Sequence, residues 1–270
     1  MFRPAAYDRA MELQGKNVVV TGAGRGIGEA LARAFHAEGA RLVIADLQGA
    51  DSVAATLDGV VAIAADVSTE AGNKALVEAA TEVLGPIDLF FANAGVGMGT
   101  GVVETDEVAW ETSFAVNVNA HRWAAKYLLP MWLERGEGYF CSTASAAGLL
   151  IQIGSGPYTL SKRAAVAFAE FMAITYGDQG IKVTCLCPQG VNTAMLHAGD
   201  DSFSGGNVVK AAAAVLEPEQ VADDVVDAIR DERFFVLPHP EVADYMQLKA
   251  SDPERWLGGM RKLQRRVRNG

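Results

Sequence analysis

Short runs of apolar, mostly β-branched residues alternate along the chain with longer segments whose apolar residues recur at helical spacing. The short runs predict strands at residues 17–21, 41–45, 60–64, 87–92, 138–142, 182–187 and 234–237. The longer segments predict helices at residues 27–37, 71–84, 108–133, 158–176 and 218–230. Strands that are apolar throughout need cover on both faces. The alternation therefore predicts a doubly wound parallel sheet of about seven strands with helices on both sides.

Length and composition favour one domain. The chain has 270 residues, of which 50% are apolar, and no internal repeat, low-complexity linker or shift in composition divides it. Three segments lie outside the alternation of strands and helices. They are an N-terminal arm at residues 1–15, a segment at residues 194–217 that we expect to be a substrate lid, and a C-terminal helical extension at residues 238–270.

The net charge of the chain limits the classes of ligand that we expect it to bind. A net charge of -10 and a pI near 4.9 disfavour binding to nucleic acid or to anionic membranes and leave small molecules as the expected ligands. The C-terminal extension differs, because basic residues surround an apolar stripe of Trp256, Met260, Leu263 and Val267. We expect this segment to form a terminal helix packed on the body of the protein or on a neighbouring subunit.

The cysteines indicate a reducing compartment. Cys141, Cys185 and Cys187 lie in apolar runs, and their odd number predicts free thiols and a cytoplasmic location. The first 16 residues lack the apolar core of a signal peptide, and no run reaches the ~20 apolar residues that span a bilayer. The histidines have no metal-ligand spacing to Cys185 and Cys187, so we expect no metal site.

A glycine-rich loop joins the first predicted strand to the first predicted helix. Its sequence, TGAGRGIG, occupies residues 21–28. Glycine permits a tight turn and close approach of phosphates, and the free N–H groups of a helix start bind anions. A glycine cluster alone is a weak signal, but its place between strand and helix favours a dinucleotide. The expected contacts in this loop are Gly22, Arg25, Gly26, Ile27 and Gly28.

Polar and small residues follow the next three predicted strands. Asp46 ends the second strand, where a carboxylate accepts hydrogen bonds from the adenosine ribose and repels a 2′-phosphate. This favours NAD over NADP, whereas the guanidinium of Arg25 argues for a phosphate, and an ordinary turn aspartate is the structural alternative. The further expected cofactor contacts are Asp66, Val67, Asn93, Ala94 and Gly95.

A second group of residues has the chemistry of proton transfer. Tyr158 and Lys162 are four residues apart in a predicted helix and therefore share a face. An ammonium near a phenol favours the phenolate, so Tyr158 would act as a general base for alcohol oxidation or a general acid for ketone reduction. Ser145, after the fifth predicted strand, would bind the reacting oxygen. Asn117 would hold a water, fix the lysine, or make a simple interhelical hydrogen bond.

Together these motifs resemble the short-chain dehydrogenase/reductase family over residues 16–237. The resemblance rests on TGxxxGxG, NAG, an Asn in the fourth helix, a Ser, YxxxK and PxGVxT, in that order. It implies a Rossmann-like fold, a catalytic tetrad and an oligomer, commonly a tetramer or dimer, in which the fourth and fifth helices form one interface. The implied tetrad is Asn117, Ser145, Tyr158 and Lys162, with Tyr158 as acid/base. The resemblance implies that Lys162 contacts the nicotinamide ribose and that Val191 and Thr193 contact the carboxamide. Pro188 is a further expected cofactor contact.

One position departs from the family pattern. The family usually has Pro-Gly where this chain has Pro188-Gln189-Gly190, which places Gln189 near the nicotinamide and the substrate. The expected substrate pocket comprises Ser145, Gln152, Tyr158, Gln189, Met195, Leu196 and Phe203, with Met98, Leu149 and Ile151 as further wall residues. Core packing or loop anchoring is the alternative for the wall residues. Their apolar character favours a medium-sized hydrophobic or aromatic secondary alcohol and its ketone.

Four functions fit a dinucleotide loop of this kind. An NAD-dependent alcohol dehydrogenase or carbonyl reductase fits best, because both Tyr158 and Lys162 are present. A dinucleotide-sensing regulator would be expected to lack one of them. A sugar-nucleotide isomerase or lyase would carry TGxxGxxG and a larger C-terminal domain. An NADPH-dependent ketoreductase acting on acyl-carrier-protein substrates suits Arg25, but Asp46 and the acidic charge disfavour it.

Overall fold

One parallel sheet forms the centre of the molecule. The computed structural model describes residues 11–198 and 214–269. The sheet has seven strands in the order β3-β2-β1-β4-β5-β6-β7, with every pair parallel. The strands are β1 Asn17–Thr21, β2 Arg41–Asp46, β3 Val61–Ala64, β4 Leu89–Ala92, β5 Gly138–Thr143, β6 Ile181–Leu186 and β7 Phe235–Val236. The predicted doubly wound, Rossmann-like sheet is confirmed.

Burial follows each strand's place in the sheet. Every residue of β1, β4 and β5 is buried, because these strands lie at the centre and are covered on both faces. β3 is partly exposed along its length because it is an edge strand. The chain reverses its order at β1 and β4, which leaves a crevice at the carboxyl ends of these strands.

The helices connect successive strands. They are α1 Gly26–Ala37, α2 Ala50–Ala54, α3 Glu70–Leu84, α4 Glu107–Phe114, α5 Ala120–Arg135, α6 Ala146–Leu150, α7 Gly156–Tyr176, α8 Ala194–His197, α9 Pro218–Arg230, α10 Glu241–Ser251 and α11 Pro253–Asn269. Local signals start several of them. Thr69 caps α3 by accepting the Gly72 N–H at 3.0 Å, and Asp106 caps α4 by accepting the Ala109 N–H at 2.8 Å.

The helix predicted at residues 108–133 is not uniform. A π-helical turn, Ala115–Asn119, separates α4 from α5. Apolar periodicity does not distinguish such a turn, because one extra residue per turn changes the spacing too briefly. π-turns often occur at functional sites, and this one contains Asn117.

Two hydrophobic cores cover the sheet. α3, α5 and α7 pack on one face, where Trp132, Phe90 and Phe140 are fully buried. α1 and α9 pack on the other face around Phe35, Phe91 and Val225. The helices therefore hold the strand ends rigidly on both sides of the crevice.

The C-terminal extension forms two helices, α10 and α11, beside α6 and the mouth of the crevice. Within the described ranges, no helix has the length and apolar character needed to cross a membrane.

Candidate active site

A cleft of about 1160 Å³ runs along the carboxyl ends of the strands. Its walls include nearly all the residues expected at a cofactor or substrate. These are Gly22, Arg25, Gly26, Ile27, Gly28, Asp46, Asp66, Val67, Asn93, Ala94, Gly95, Ser145, Gln152, Tyr158, Lys162, Pro188, Gln189, Val191, Thr193, Met195 and Leu196. Asn117 lies behind the wall, and Phe203 lies outside the described residues.

The glycine loop fits a dinucleotide. A Cβ at Gly22 would lie 2.7 Å from Ala94 Cα, and one at Gly28 would lie 2.0 Å from the Gly22 carbonyl oxygen, so neither position admits a side chain. Helix α1 starts at Gly26 without a side-chain cap from Arg25, which leaves its first N–H groups available to an anion. The loop is therefore shaped to approach phosphates closely.

Asp46 organises this loop. Its Oδ2 accepts the Gly24 N–H at 2.9 Å, and its Oδ1 accepts the Leu47 N–H at 2.7 Å. The carboxylate thus makes turn contacts and also lines the cleft. Both interpretations of Asp46, turn residue and ribose ligand, are compatible in one side chain because a carboxylate has several acceptor sites.

Asn93 joins three strand ends. Its Nδ2 donates to the Thr21 carbonyl at 3.0 Å, and its Oδ1 accepts from Thr143 Oγ1 at 2.9 Å. The end of β4 is thereby tied to β1 and β5. This network fixes the floor of the cleft between the glycine loop and the candidate proton-transfer residues.

Ser145 lies at the end of β5 and caps α6. Its Oγ accepts the Ala147 N–H at 3.1 Å and lies 3.4 Å from the Pro188 carbonyl oxygen. The second contact is long for a hydroxyl hydrogen bond. Ser145 lines the cleft, and its hydroxyl keeps hydrogen-bonding capacity for a ligand because its contact with the Pro188 carbonyl is long.

Lys162 is buried, with 2% of its surface exposed. Its Nζ donates to the Thr143 carbonyl at 2.8 Å and lies 5.8 Å from the centroid of the Tyr158 ring. Burial lowers the pKa of Lys162 to about 8. An ideal Cβ at Gly95 would lie 3.1 Å from this nitrogen, so glycine at that position gives the ammonium access to the cleft.

Tyr158 is half-buried and faces the same space. Burial raises the pKa of its phenol, whereas the hydrogen bond with the Ser145 side chain acts to lower it. Among the protein's own groups, loss of solvent is the largest influence on this pKa, and the expected lowering by Lys162 stays a prediction. Four-residue spacing places the two side chains on one face but does not report their depth.

Asn117 holds the site together from behind. Its Oδ1 accepts the Val96 N–H at 2.9 Å, and its Nδ2 donates to the Val96 carbonyl and to Ser161 Oγ, each at 2.9 Å. Ser161 lies between Tyr158 and Lys162 on α7. Asn117 thus links the loop after β4 to α7, and the amide bonds this loop and Ser161 rather than the lysine itself.

A histidine that the sequence did not single out supports Gln189. The Gln189 N–H donates to His239 Nδ1 at 3.2 Å, and His239 Nε2 lies 3.1 Å from the Ala214 carbonyl oxygen. His239 is 98% buried, since only 2% of its surface is exposed. A single histidine in a turn carries no local signal for such a role.

The substrate end of the cleft is mainly apolar. Met98, Ile151, Met195 and Leu196 line it as expected. Leu149 was expected there, but it is buried in the core and Leu150 lines the cleft instead. The orientation of the short helix α6 places the neighbouring leucine, Leu150, at the wall of the cleft.

The C-terminal helices add wall residues to the cleft that the sequence did not predict there. Tyr245 of α10 and Trp256, Met260 and Leu263 of α11 line the cleft. Trp256, Met260 and Leu263 belong to the apolar stripe that was predicted to pack on the body of the protein or on a neighbouring subunit, whereas Tyr245 was not singled out. Only the fold shows that the stripe packs beside the substrate end of the cavity.

Comparison with known proteins agrees with this geometry. The family model for short chain dehydrogenase matches residues 16–202. A meso-2,3-butanediol dehydrogenase from Serratia marcescens is 34% identical over 231 residues, covering 84% of this chain and 92% of that protein. (+)-Borneol dehydrogenase 1 from Salvia officinalis is 32% identical over 237 residues, covering 83% of this chain and 90% of that protein.

A solved structure also matches closely. It is a short chain dehydrogenase/reductase from Burkholderia phymatum in complex with NAD, with a TM-score of 0.82 and 30% sequence identity over 90% of this chain and 96% of that one. Because the family model spans more than half of the chain and a relative that is 34% identical is covered over 92% of its length, this chain belongs to the short chain dehydrogenase family of oxidoreductases.

Proposed function

We propose that this protein is an NAD(H)-dependent oxidoreductase that interconverts a medium-sized, apolar secondary alcohol and its ketone, with Tyr158 as acid/base. The observation that supports the proposal most directly is that Tyr158, Ser145 and Lys162 lie together at one wall of the cleft. The Tyr158 phenol bonds the Ser145 side chain, and Lys162 Nζ lies 5.8 Å from the phenol ring. The same cleft continues to the glycine loop.

Each of these residues has a distinct role in the proposed reaction. Ser145 Oγ donates a hydrogen bond to the reacting oxygen, and Tyr158 removes the hydroxyl proton during oxidation or returns it during reduction. Lys162 binds the nicotinamide ribose and supplies positive charge near the phenol. Asn117 holds Val96 and Ser161, and so keeps the loop and α7 in register. A bound nicotinamide dinucleotide supplies the hydride acceptor or donor.

The ionisation of Tyr158 determines the direction of the pH dependence. Burial raises the pKa of the phenol, and the positive charge of oxidised nicotinamide favours the phenolate. Oxidation needs the phenolate and is expected to accelerate as pH rises. Reduction needs the protonated phenol and is expected to slow over the same range.

The proposed cofactor is NAD rather than NADP. Asp46 lines the cleft at the end of β2 and would meet the adenosine ribose, where its negative charge disfavours a 2′-phosphate. The residues proposed to hold the remainder of the cofactor are Gly22, Arg25, Gly26, Ile27, Gly28, Asp66, Val67, Asn93, Ala94, Gly95, Pro188, Val191 and Thr193. The Burkholderia phymatum relative was solved with NAD, which supports this choice.

The proposed substrate follows from the apolar end of the cleft. Met98, Ile151, Met195 and Leu196 offer no charged group to a phosphate or carboxylate, whereas Gln152 and Gln189 offer amides. The names of two relatives refer to the alcohols butanediol and borneol, which supports an uncharged alcohol. We also propose a cytoplasmic location, since the three cysteines are buried and free.

A single substitution tests the proposed chemistry. Tyr158→Phe removes only the hydroxyl, so turnover of any alcohol oxidised by the wild type should fall by at least about 10²-fold, while NADH binding measured by fluorescence stays within about twofold. The panel should include aliphatic, cyclic and aromatic alcohols with NAD, followed at the NADH absorbance.

Tyr127→Phe is the matched control. Its hydroxyl bonds Glu70 at 2.9 Å on α3, away from the cleft, so this variant should keep full turnover. Turnover of Tyr158→Phe within threefold of the wild type would exclude the tyrosine as acid/base. Reduction of an acetoacetyl thioester with NADPH, together with inactivity on every alcohol, would favour the ketoreductase instead.

A further inference from the structure

Helix α11 covers the substrate end of the cleft with three apolar residues. Trp256, Met260 and Leu263 line the cavity, while Leu257 on the same helix is 50% exposed. The same helix therefore contacts the cavity along one stripe and solvent along another.

The start of α11 is firmly held. Trp256 is 9% exposed, and its ring lies 6.1 Å from that of Tyr245 on α10. Helix α10 is attached to α6, because Lys249 Nζ donates to the Leu149 carbonyl at 2.6 Å. Since α6 begins directly after Ser145, the base of α11 is fixed to the proposed reaction centre.

Two adjacent glycines, Gly258 and Gly259, follow this anchor inside the helix. A Cβ added at either one meets no other atom within 4 Å, and neither has a left-handed backbone. Neither space nor backbone conformation therefore demands glycine here. Glycine inside a helix lowers helix stability about fivefold per position relative to alanine, so the helix is weakest immediately beyond Trp256.

The part of α11 beyond the glycines is weakly attached. Met260, Leu263 and Val267 are half-buried, whereas Arg261, Lys262, Arg265 and Arg266 are exposed, and none of these four has an ion pair in the described structure. Like charges four residues apart, as in Arg261 with Arg265, destabilise a helix. The apolar stripe packs this segment against the cleft, and these four cations add no ion pair to it in the described structure.

We propose that residues 260–269 form a hinged cover over the substrate end of the cleft, with Gly258 and Gly259 as the hinge and Met260 and Leu263 as residues that determine specificity. The cover closes on the apolar part of an extended alcohol or ketone and opens for its exchange. This inference rests on the proposed function for its ligand class. The hinge itself rests on the packing of α11.

The specificity of the cover is tested with Leu263→Ala against Leu257→Ala. Both variants remove the same atoms from the same helix, but only Leu263 lines the cleft. The measurement is the Kd of 2-octanone relative to 2-butanone, from the fluorescence of protein-bound NADH. Both leucine variants and their reference carry Tyr158→Phe, so that the ketone is not reduced during the titration. Leu263→Ala should weaken 2-octanone about fivefold to tenfold while 2-butanone changes less than twofold. An unchanged ratio, or an equal effect of Leu257→Ala, would overturn the assignment.

The hinge is tested with the double variant Gly258→Ala/Gly259→Ala. Amide hydrogen exchange of residues 260–268 should slow about tenfold or more, because alanine stabilises the helix at both positions. Gly177→Ala is the control, since Gly177 has helical backbone angles and an added Cβ there also meets nothing within 4 Å. Unchanged exchange in the double variant, or wild-type exchange as slow as that of α7, would overturn the hinge. Failure of the wild type to oxidise any alcohol would count against the proposed function and leave this result intact.

Discussion

The ionisable residues of the cleft are governed by burial. Lys162 is 2% exposed and its pKa falls to about 8, and loss of solvent raises the pKa of Tyr158. A spacing of four residues predicts that these side chains share a face but says nothing of their depth. Their depth follows from β5 and from the loop after β4, which close over α7.

The burial of Lys162 has a measurable consequence for stability. The folded pKa of about 8 lies below the ordinary value of 10.5, so the unfolded chain binds more protons between these pH values. The wild-type free energy of unfolding therefore gains about 1.4 kcal/mol per pH unit from this residue as pH rises through that range. Lys162→Met lacks this gain. The free energy of unfolding of Lys162→Met minus that of the wild type should therefore decrease from pH 8 to pH 10.

Urea denaturation at pH 7, 8.5 and 10 measures this difference in the absence of cofactor. Lys74→Met, which removes an exposed lysine from α3, controls for the loss of a charge. A difference between the wild type and Lys162→Met that is the same at all three pH values would contradict the burial of a charged ammonium.

At the scale of elements, the predicted strands and long helices match the structure within one or two residues at most ends. Exceptions are informative. The edge strand β3 is half exposed, the short helices α2, α6 and α8 were not predicted, and the π-turn divides the predicted helix 108–133. Short elements carry too few residues for periodicity to identify them, and their conformation depends on the elements that contact them.

Asp46 connects the end of β2 to the glycine loop. Asp46 accepts the Gly24 N–H and also lines the cleft, so its structural and binding roles need to be separated. Asp46→Asn keeps an acceptor oxygen for Gly24 but removes the negative charge. We expect NADH to bind about tenfold more weakly and NADPH to bind more tightly. The thermal midpoint should fall modestly, because the amide has one oxygen in place of the two that accept the Gly24 and Leu47 N–H groups.

Fluorescence titrations with NADH and NADPH, together with calorimetry, measure these three quantities. Asp51→Asn on the exposed start of α2 is the control for removal of a negative charge near β2. If the ratio of the NADPH and NADH dissociation constants stays constant in Asp46→Asn, the carboxylate is a turn residue alone and the NAD preference has another origin.

At the scale of the whole molecule, an apolar stripe on α7 indicates self-association. Leu160, Phe171 and Ile174 are 51%, 54% and 83% exposed, and their spacing places them on one face of the helix. Large apolar side chains exposed along one face of a helix are typical of a subunit interface. We therefore propose that the protein is a homo-oligomer, a tetramer or a dimer, that uses this face.

Light scattering coupled to size exclusion tests the interface. Phe171→Asp should dissociate the assembly toward the 28.5 kDa monomer, because a carboxylate at a buried apolar contact is costly. Val103→Asp, at a residue 92% exposed in a loop, should leave the assembly intact. A wild-type protein that elutes as a monomer would contradict the proposed interface.

Much of the candidate site could be predicted because its residues occur in local motifs at strand ends. Parallel strands bring their carboxyl ends to one edge, so Gly22, Asp46, Asn93 and Ser145 had to lie near one another once the sheet was predicted. Leu149 was misplaced by one residue, and His239 was missed, because neither the rotation of a short helix nor a contact across 50 residues has a local signal.

The alternation of strands and helices, the parallel sheet and the residue types of the candidate proton-transfer site could be predicted from the amino-acid sequence, because periodicity and turn chemistry act over a few residues. The depth of Lys162, the contacts of Asn117 with Val96 and Ser161, and the place of α11 against the cleft emerged from the packing of the folded chain. Those features depend on burial and on packing between elements far apart in the chain, and no local pattern of residues specifies either.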